Sequence, residues 1–187
     1  MTKKPPKETI ILGIDPGTNI TGYGVISISG NKPEMIAIGV IDLSKLDDHF
    51  IKLKQIFDRI TGIIDEYHPD ELAIEAPFYG KNVQSMLKLG RAQGAAIAAA
   101  LSRSLPVFEY APRKIKMSIT GQCAASKEQV AAMLKNILKV DLSGIKLDAT
   151  DGLAAAMCHY YQSNKPSSAK SYGGWKDFMR KNPGRVK

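Results

Sequence analysis

The chain has 187 residues, of which 44% are hydrophobic and 24% are charged, and its formal net charge is +8. This length and composition predict one globular domain with an apolar core, and they exclude collagen-like, mucin-like and disulfide-stapled proteins. We expect a cytoplasmic protein that does not use a membrane, because no apolar run approaches the ~20 residues of a membrane span and no signal-peptide core follows the N-terminus. The two cysteines, Cys123 and Cys158, are expected to be small buried residues in a reducing compartment.

The first half of the chain predicts three strands, a helix and a fourth strand. The strands are expected at 10–15, 21–29 and 33–43, the helix at 48–68 and the fourth strand at 71–75. The strands have apolar or alternating sequences, and their short links favour an antiparallel meander. The buried face of the helix is expected to carry Phe50, Leu53, Phe57, Ile60, Ile64 and Tyr67.

The second half predicts four helices and one more strand. The helices are expected at 83–103, at 112–119, from 126 onwards and from 148 to about 162, with the strand at 106–110. Pro112 fits the first turn of the short basic helix, and Gly121 ends it. Ser126 and Gln129 form a capping box for the next helix. Its inner face is expected to carry Val130, Met133, Leu134, Ile137 and Leu138.

This order of elements predicts an α/β fold with a mixed five-stranded sheet and helices on both faces. Three antiparallel strands come first, and βαβ crossovers then bring strands four and five parallel to strand one. The helix at 83–103 carries Gly90 and Gly94, whose spacing permits close contact with another helix. Its Ala- and Gly-rich face could instead be buried on the sheet, which is the preferred interpretation.

Four carboxylates occupy positions where burying their charge would be costly unless another group pairs with them. Asp15 and Glu75 end the first and fourth strands, whereas Asp148 and Asp151 share one face of the first turn of the last helix. If the two strands are parallel neighbours, Asp15 and Glu75 leave the same edge of the sheet, where open α/β sheets place their sites. A divalent cation with oxygen ligands, Mg²⁺ or Mn²⁺, would relieve the mutual repulsion. Phosphate groups are the usual substrates at such sites.

Three of these four acids also fit a purely structural role. Asp15, directly before Pro16, fits a turn. Asp148 fits a helix cap, and Asp151 fits a charge that interacts favourably with the helix dipole. Glu75 has no comparable use directly after an apolar strand. The combined placement of all four favours a metal-binding cluster.

The positive charge is unevenly distributed along the chain. Residues 1–8 carry a net charge of +2 and residues 165–187 a net charge of +6, so residues 9–164 are neutral overall. Within that range, residues 31–75 carry −5 and residues 76–146 carry +8. We therefore expect a basic extension at 1–8, a central folded domain at 9–164 and a mobile basic tail at 165–187, with a polyanion as the partner. Solvated helix faces are the alternative explanation of the basic segment.

The sequence resembles the RuvC family of crossover junction endodeoxyribonucleases, which resolve Holliday junctions. The matching stretches are 11–26 (ILGIDPGTNITGYGVI), 72–94 (LAIEAPFYGKNVQSMLKLGRAQG), 106–121 (PVFEYAPRKIKMSITG) and 148–155 (DATDGLAA). The G-I-D-x-G motif alone is weak, because sugar kinases and actin-like ATPases carry a similar hairpin. Its combination with E-A-P-F-Y-G-K-N and D-A-x-D is specific.

The resemblance implies an RNase H-like fold and a homodimer that makes paired, symmetric, Mg²⁺-dependent nicks in four-way DNA junctions during recombination and repair. Two Mg²⁺ ions per site are expected, with Mn²⁺ as a substitute, and the products would be 5′-phosphate and 3′-hydroxyl ends. The catalytic and metal-binding residues would be Asp15, Glu75, Asp148 and Asp151. The DNA contacts would come from Phe78, Lys81, Asn82, Lys116 and Lys127. The RuvA–RuvB branch-migration complex is the implied protein partner.

Alternatives remain for several of these residues and for the function. Phe78 also fits a core aromatic position, and Lys116 and Lys127 also fit solvated helix faces. An actin-like ATPase or sugar kinase would need two such domains, for which 187 residues are too few. A DNA-binding module without catalysis is the other rival, and the four intact acids argue against it. Which carboxylate accepts the proton from water is not determined by the sequence.

Overall fold

The structure is a computed structural model that describes residues 8–77, 82–164 and 179–180. Its strands are β1 (Thr9–Asp15), β2 (Ile20–Ser29), β3 (Lys32–Asp42), β4 (Glu71–Glu75) and β5 (Val107–Tyr110). Its helices are α1 (His49–Tyr67), α2 (Val83–Ser102), α3 (Pro112–Thr120), α4 (Lys127–Leu138) and α5 (Leu147–Ser163). All the predicted elements are present, and the capping box at the start of α4 is confirmed.

The five strands form one mixed sheet in the order β3-β2-β1-β4-β5. The β1–β2 and β2–β3 pairs are antiparallel, whereas β1–β4 and β4–β5 are parallel, as the order of elements predicted. In the β1–β4 register Ile14 lies opposite Ile74, so Asp15 and Glu75 are the next residues along the two strands. The carboxyl ends of these neighbouring strands therefore meet at one edge of the sheet.

Helices cover both faces of the sheet. Leu12 and Ile14 of β1 pack with α1 and α2 on one face, whereas Ile11 packs with α3, α4 and α5 on the other. Because side chains alternate along a strand, Asp15 shares the α5 side of the sheet with Ile11.

Within the described residues, no helix combines the length and the apolar character needed to cross a bilayer.

Three side chains that were predicted to be buried are exposed. Phe50 is 72% exposed in the first turn of α1, because the buried face of that helix is rotated toward Ile56 and Ile63. Met133 is 38% exposed, since it lies at the edge of the α4 face that packs on the core. Cys123 is also exposed, unlike the second cysteine of the chain.

The division of the chain into three parts stays a prediction. Apart from residues 8, 179 and 180, the predicted extension at 1–8 and the predicted tail at 165–187 lie outside the described residues.

Candidate active site

The first two acids stand beside each other at the edge formed by β1 and β4. They share a narrow cleft of about 160 Å³ whose lining residues are Asp15, Pro16, Glu75, Ala76, Pro77 and Leu89. The chain after Asp15 is held by Thr21, whose buried hydroxyl donates to the Gly17 carbonyl oxygen at 3.0 Å and accepts from the Gly17 amide at 3.2 Å. Thr21 was not predicted as a site residue, because a threonine at the start of a strand carries no distinctive signal.

Helix α5 brings the other two acids to this edge by packing closely on β1 and β2. A Cβ atom at Gly22 would overlap the main-chain oxygen of Asp148, and one at Gly24 would crowd Leu153. Gly13 similarly lies against Gly152 of α5. The glycines therefore fix how closely the first turn of α5 approaches the sheet. The alternation of Gly22 and Gly24 on one face of β2 is a signal of this close approach that the sequence itself carries.

Three carboxylates meet in this arrangement. Asp15, Asp148 and Asp151 each offer an oxygen, and these oxygens lie within 4.8 Å of one another. Asp148 is not the helix cap, because Lys146 occupies that position and makes no side-chain capping bond. Glu75 is outside this group of three oxygens, although its charge interacts with those of Asp15 and Asp151. We call the four residues together the acidic pocket.

Burial and mutual repulsion disfavour the charged forms of these acids. Burial, followed by the charge of Asp151, raises the pKa of Asp15 to about 7. Burial, followed by the charge of Asp15, raises the pKa of Glu75 to about 8. Burial also raises the pKa of Asp151. A bound cation would favour the ionised forms of all these groups, so the pocket has the electrostatics of a cation site.

Both lysines that the sequence predicted border the acidic pocket. The Nζ atom of Lys127 lies 3.2 Å from Oδ1 of Asp148 and also forms an ion pair with Asp151. Burial opposes the charge of Lys127, but its hydrogen bonds to Asp151 and Asp148 raise its pKa above the ordinary value. The charge of Lys116 of α3 partly offsets the rise that burial causes in the pKa values of Glu75 and Asp151.

The remaining predicted residues lie around the link between β4 and α2. Phe78 and Lys81 fall outside the described residues. Asn82 is exposed and caps α2, where its Oδ1 atom accepts a hydrogen bond of 3.1 Å from the Ser85 amide.

Gln93 was not predicted as a site residue. Its buried side-chain amide donates a hydrogen bond to the main-chain oxygen of Glu75 at 3.4 Å. Its place between the small residues Ala92 and Gly94 of α2 was the only sequence signal for it.

Comparison with known proteins assigns this chain to a family. The sequence profile described as crossover junction endodeoxyribonuclease RuvC matches residues 11–159. The chain belongs to the RuvC family. A RuvC of Bacteroides fragilis is 63% identical over 98% of this chain and 99% of its own length, and one of Porphyromonas gingivalis is 58% identical over 97% and 99%. Both relatives are named crossover junction endodeoxyribonuclease, so this chain is an enzyme of the nuclease class.

Solved RuvC structures confirm the RNase H-like fold. Thermus thermophilus RuvC superimposes with a TM-score of 0.74 at 28% identity, over 83% of this chain and 96% of that one. A second structure, described as T. thermophilus RuvC in complex with Holliday junction substrate, gives a TM-score of 0.76 at 28% identity, over 83% and 94% of the two chains.

Proposed function

We propose that this protein resolves Holliday junctions by paired, symmetric, Mg²⁺-dependent nicks during DNA recombination and repair. The observation that carries the proposal is the convergence of Asp15, Asp148 and Asp151 within 4.8 Å, beside Glu75. The names of the RuvC relatives, and the RuvC structure described as a complex with Holliday junction substrate, support the choice of substrate.

The residues of the acidic pocket fit a divalent metal ion. They supply only carboxylate oxygens, which are the ligands that Mg²⁺ and Mn²⁺ prefer, and they come from β1, β4 and α5. We assign metal binding to Asp15, Glu75, Asp148 and Asp151, with two Mg²⁺ ions per site and Mn²⁺ as a substitute. When bound, such ions make water a stronger nucleophile and neutralise charge on the leaving oxygen.

The side chains of the pocket and its border perform the remaining steps. Lys116 and Lys127 attract the scissile phosphate and offset its charge as the phosphorus–oxygen bond breaks. One of the four carboxylates accepts the proton of the attacking water. The hydrogen bond from the side-chain amide of Gln93 to the main-chain oxygen of Glu75 holds the end of β4 in place. The products are 5′-phosphate and 3′-hydroxyl ends.

The DNA is proposed to lie across the basic part of the chain, residues 76–146, whose net charge is +8. Asn82 and the lysines at 81, 116 and 127 would contact the phosphate backbone. Phe78 follows Pro77, which lines the catalytic cleft, and this position supports a contact between its ring and a base near the junction centre.

A homodimer is proposed to form through one face of α2. The alanines of this helix are buried against the sheet and α1, as preferred from the sequence. Gly90 and Gly94 were expected on the same buried face, but they lie on an opposite, exposed strip. This α2 strip consists of Val83, Leu87, Gly90, Gly94 and Leu101. Nothing lies within 4 Å of the position that a Cβ would take at either glycine, so a second helix has room to approach. A two-fold dimer would present two identical acidic pockets to a substrate with two equivalent phosphates.

We further propose that the dimer works with the RuvA–RuvB branch-migration complex in the cytoplasm. Such a complex would supply the four-way junction that the dimer cuts, and the bacterial origin of the relatives supports this setting.

Labelled synthetic four-way junctions and linear duplexes, incubated with the protein in Mg²⁺ or in EDTA, test the proposed function. The expected result is two symmetric nicks in the junction, formed only with Mg²⁺ and sealed by DNA ligase, with the linear duplex left intact. Equal degradation of the duplex would identify a general nuclease. Junction binding without cleavage in Mg²⁺ or Mn²⁺ would identify a binding module.

A further inference from the structure

Lys127 occupies the position that a cation would take at two of the three converging carboxylates. It is the first residue of α4, and the capping box formed by Ser126 and Gln129 fixes the start of that helix. Its ammonium lies 3.2 Å from Oδ1 of Asp148 and is paired with Asp151. The protein thus places its own positive charge inside the acidic pocket.

We propose that Lys127 is a resident counter-ion that competes with the divalent metal ion for Asp148 and Asp151 and is displaced when the metal binds. The inference rests on the proposed function, because it takes the acidic pocket to be the metal site.

Displacement follows from the chemistry of the ligands. A Mg²⁺ ion binds carboxylate oxygens at about 2.0 to 2.1 Å, so an ammonium hydrogen-bonded to the same oxygens would be brought against a doubly charged ion. The side chain of Lys127 is 46% exposed and has a flexible four-carbon stem, so it has a path out of the pocket. The released ammonium is then available to a DNA phosphate. Lys127 would therefore alternate between two anions, the carboxylates without metal and the scissile phosphate with metal.

Lys127 and Lys116 differ in their contacts with the acidic pocket. Lys116 affects Glu75 and Asp151 through its charge, but among the described residues it forms no ion pair with the acidic pocket. Of these two lysines, it is Lys127 that holds the oxygens that a metal would need. The structure therefore assigns the competition to one of two lysines that the sequence had treated alike.

Mn²⁺ binding to the DNA-free protein, measured by electron paramagnetic resonance, tests the competition without any cleavage. Lys127→Met is expected to bind Mn²⁺ about fivefold more tightly than the wild type, the order that a partly exposed ion pair supports. Lys135→Met is the matched control, because this lysine lies on the same helix and pairs with Asp141 at 3.1 Å, away from the pocket. Its Mn²⁺ affinity should equal that of the wild type. Unchanged or weaker Mn²⁺ binding by Lys127→Met would overturn the proposal.

A second measurement uses the wild type and does not depend on the folding of a variant. Lysine acetylation, read by mass spectrometry in EDTA and in Mg²⁺, should show that Lys127 becomes more reactive when Mg²⁺ is present, whereas Lys135 does not change. Equal reactivity of Lys127 in both conditions would contradict displacement. A wild type that cuts junctions but gives neither result would overturn this inference and leave the proposed function standing. A wild type that gives both results but does not cut junctions would contradict the proposed function and leave this inference standing.

Discussion

At the scale of single residues, Asp15 is the group on which the proposed chemistry depends most. It stands at the end of β1, its oxygen lies within 4.8 Å of those of Asp148 and Asp151, and its charge interacts with that of Glu75. Removing its negative charge should therefore weaken the metal site without altering the basic surface that attracts DNA.

We predict that Asp15→Asn binds four-way junctions as tightly as the wild type but cuts them at least about 100-fold more slowly. Gel-shift titrations in EDTA and single-turnover cleavage in Mg²⁺ measure the two effects. Asp141→Asn, which changes an exposed acid, is the control and should leave cleavage unchanged. Normal cleavage by Asp15→Asn would remove this residue from the mechanism.

The raised pKa of Asp15 also predicts how stability without metal depends on pH. Burial raises this pKa from 3.8 to about 7, so between those values the folded state holds a proton that the unfolded state has lost. The free energy of unfolding should therefore fall as the pH rises from about 4 through about 7. The lowered pKa values of Asp42 and Asp141, both about 2, act below this window.

Urea unfolding in EDTA across this pH range measures the effect. The wild type should lose stability with rising pH, and Asp15→Asn should lose less, so that the variant gains relative to the wild type toward about pH 8. If the free energies of unfolding of the two proteins changed equally with pH, the raised pKa would not belong to Asp15.

At the scale of elements, α5 decides whether the acidic pocket forms. Its N-terminal end carries Asp148 and Asp151, and its other end is held by His159. The Nδ1 atom of His159 lies 2.6 Å from the Tyr110 hydroxyl, and its Nε2 atom lies 2.7 Å from Oε2 of Glu71. The helix is therefore tied to β4 and β5 at one end and packed on glycines at the other, which fixes the direction in which its acids project.

We predict that Gly22→Ala reduces both stability and cleavage, because the new Cβ would overlap the main-chain oxygen of Asp148. The free energy of unfolding should fall by about 1 to 3 kcal/mol as the start of α5 is pushed away from β2. Gly62→Ala is the matched control: this glycine lies inside α1 with open space around it, and alanine there should stabilise the protein by about 0.5 to 1 kcal/mol. Urea unfolding and junction cleavage check both variants, and a fully active Gly22→Ala would show that α5 tolerates displacement.

The sequence predicted the elements and their order well, because prolines, glycines and the capping box mark their ends. It also placed Asp15 and Glu75 at one sheet edge, since that follows from parallel pairing alone. The contact of Lys127 with the acids could not be predicted, because it depends on the packing of α4 beside α5. Phe50 was misplaced for a related reason: a stripe of apolar residues does not reveal which part of a helix faces the sheet.

At the scale of the whole molecule, the choice of a four-way junction is expected to come from symmetry rather than from the pocket. A single acidic pocket can hydrolyse one phosphodiester bond, and the basic surface attracts any DNA. Two pockets related by a two-fold axis select a substrate whose two equivalent phosphates lie at the matching separation. The α2 strip is therefore as important for the proposed resolution as the acids are.

We predict that Leu87→Glu converts the proposed dimer to a monomer that still nicks DNA but no longer makes paired cuts. Leu87 is a 52% exposed residue of the α2 strip, and a carboxylate there would be buried without a partner in the proposed interface. Sedimentation velocity measures the oligomeric state. A cruciform in a supercoiled plasmid separates the two outcomes, because paired nicks give linear DNA and single nicks give open circles. Ile51→Glu, at a 54% exposed site on α1, is the control and should stay dimeric and linearise the plasmid. If Leu87→Glu also stayed dimeric and linearised the plasmid, the interface would have to lie elsewhere on the molecule.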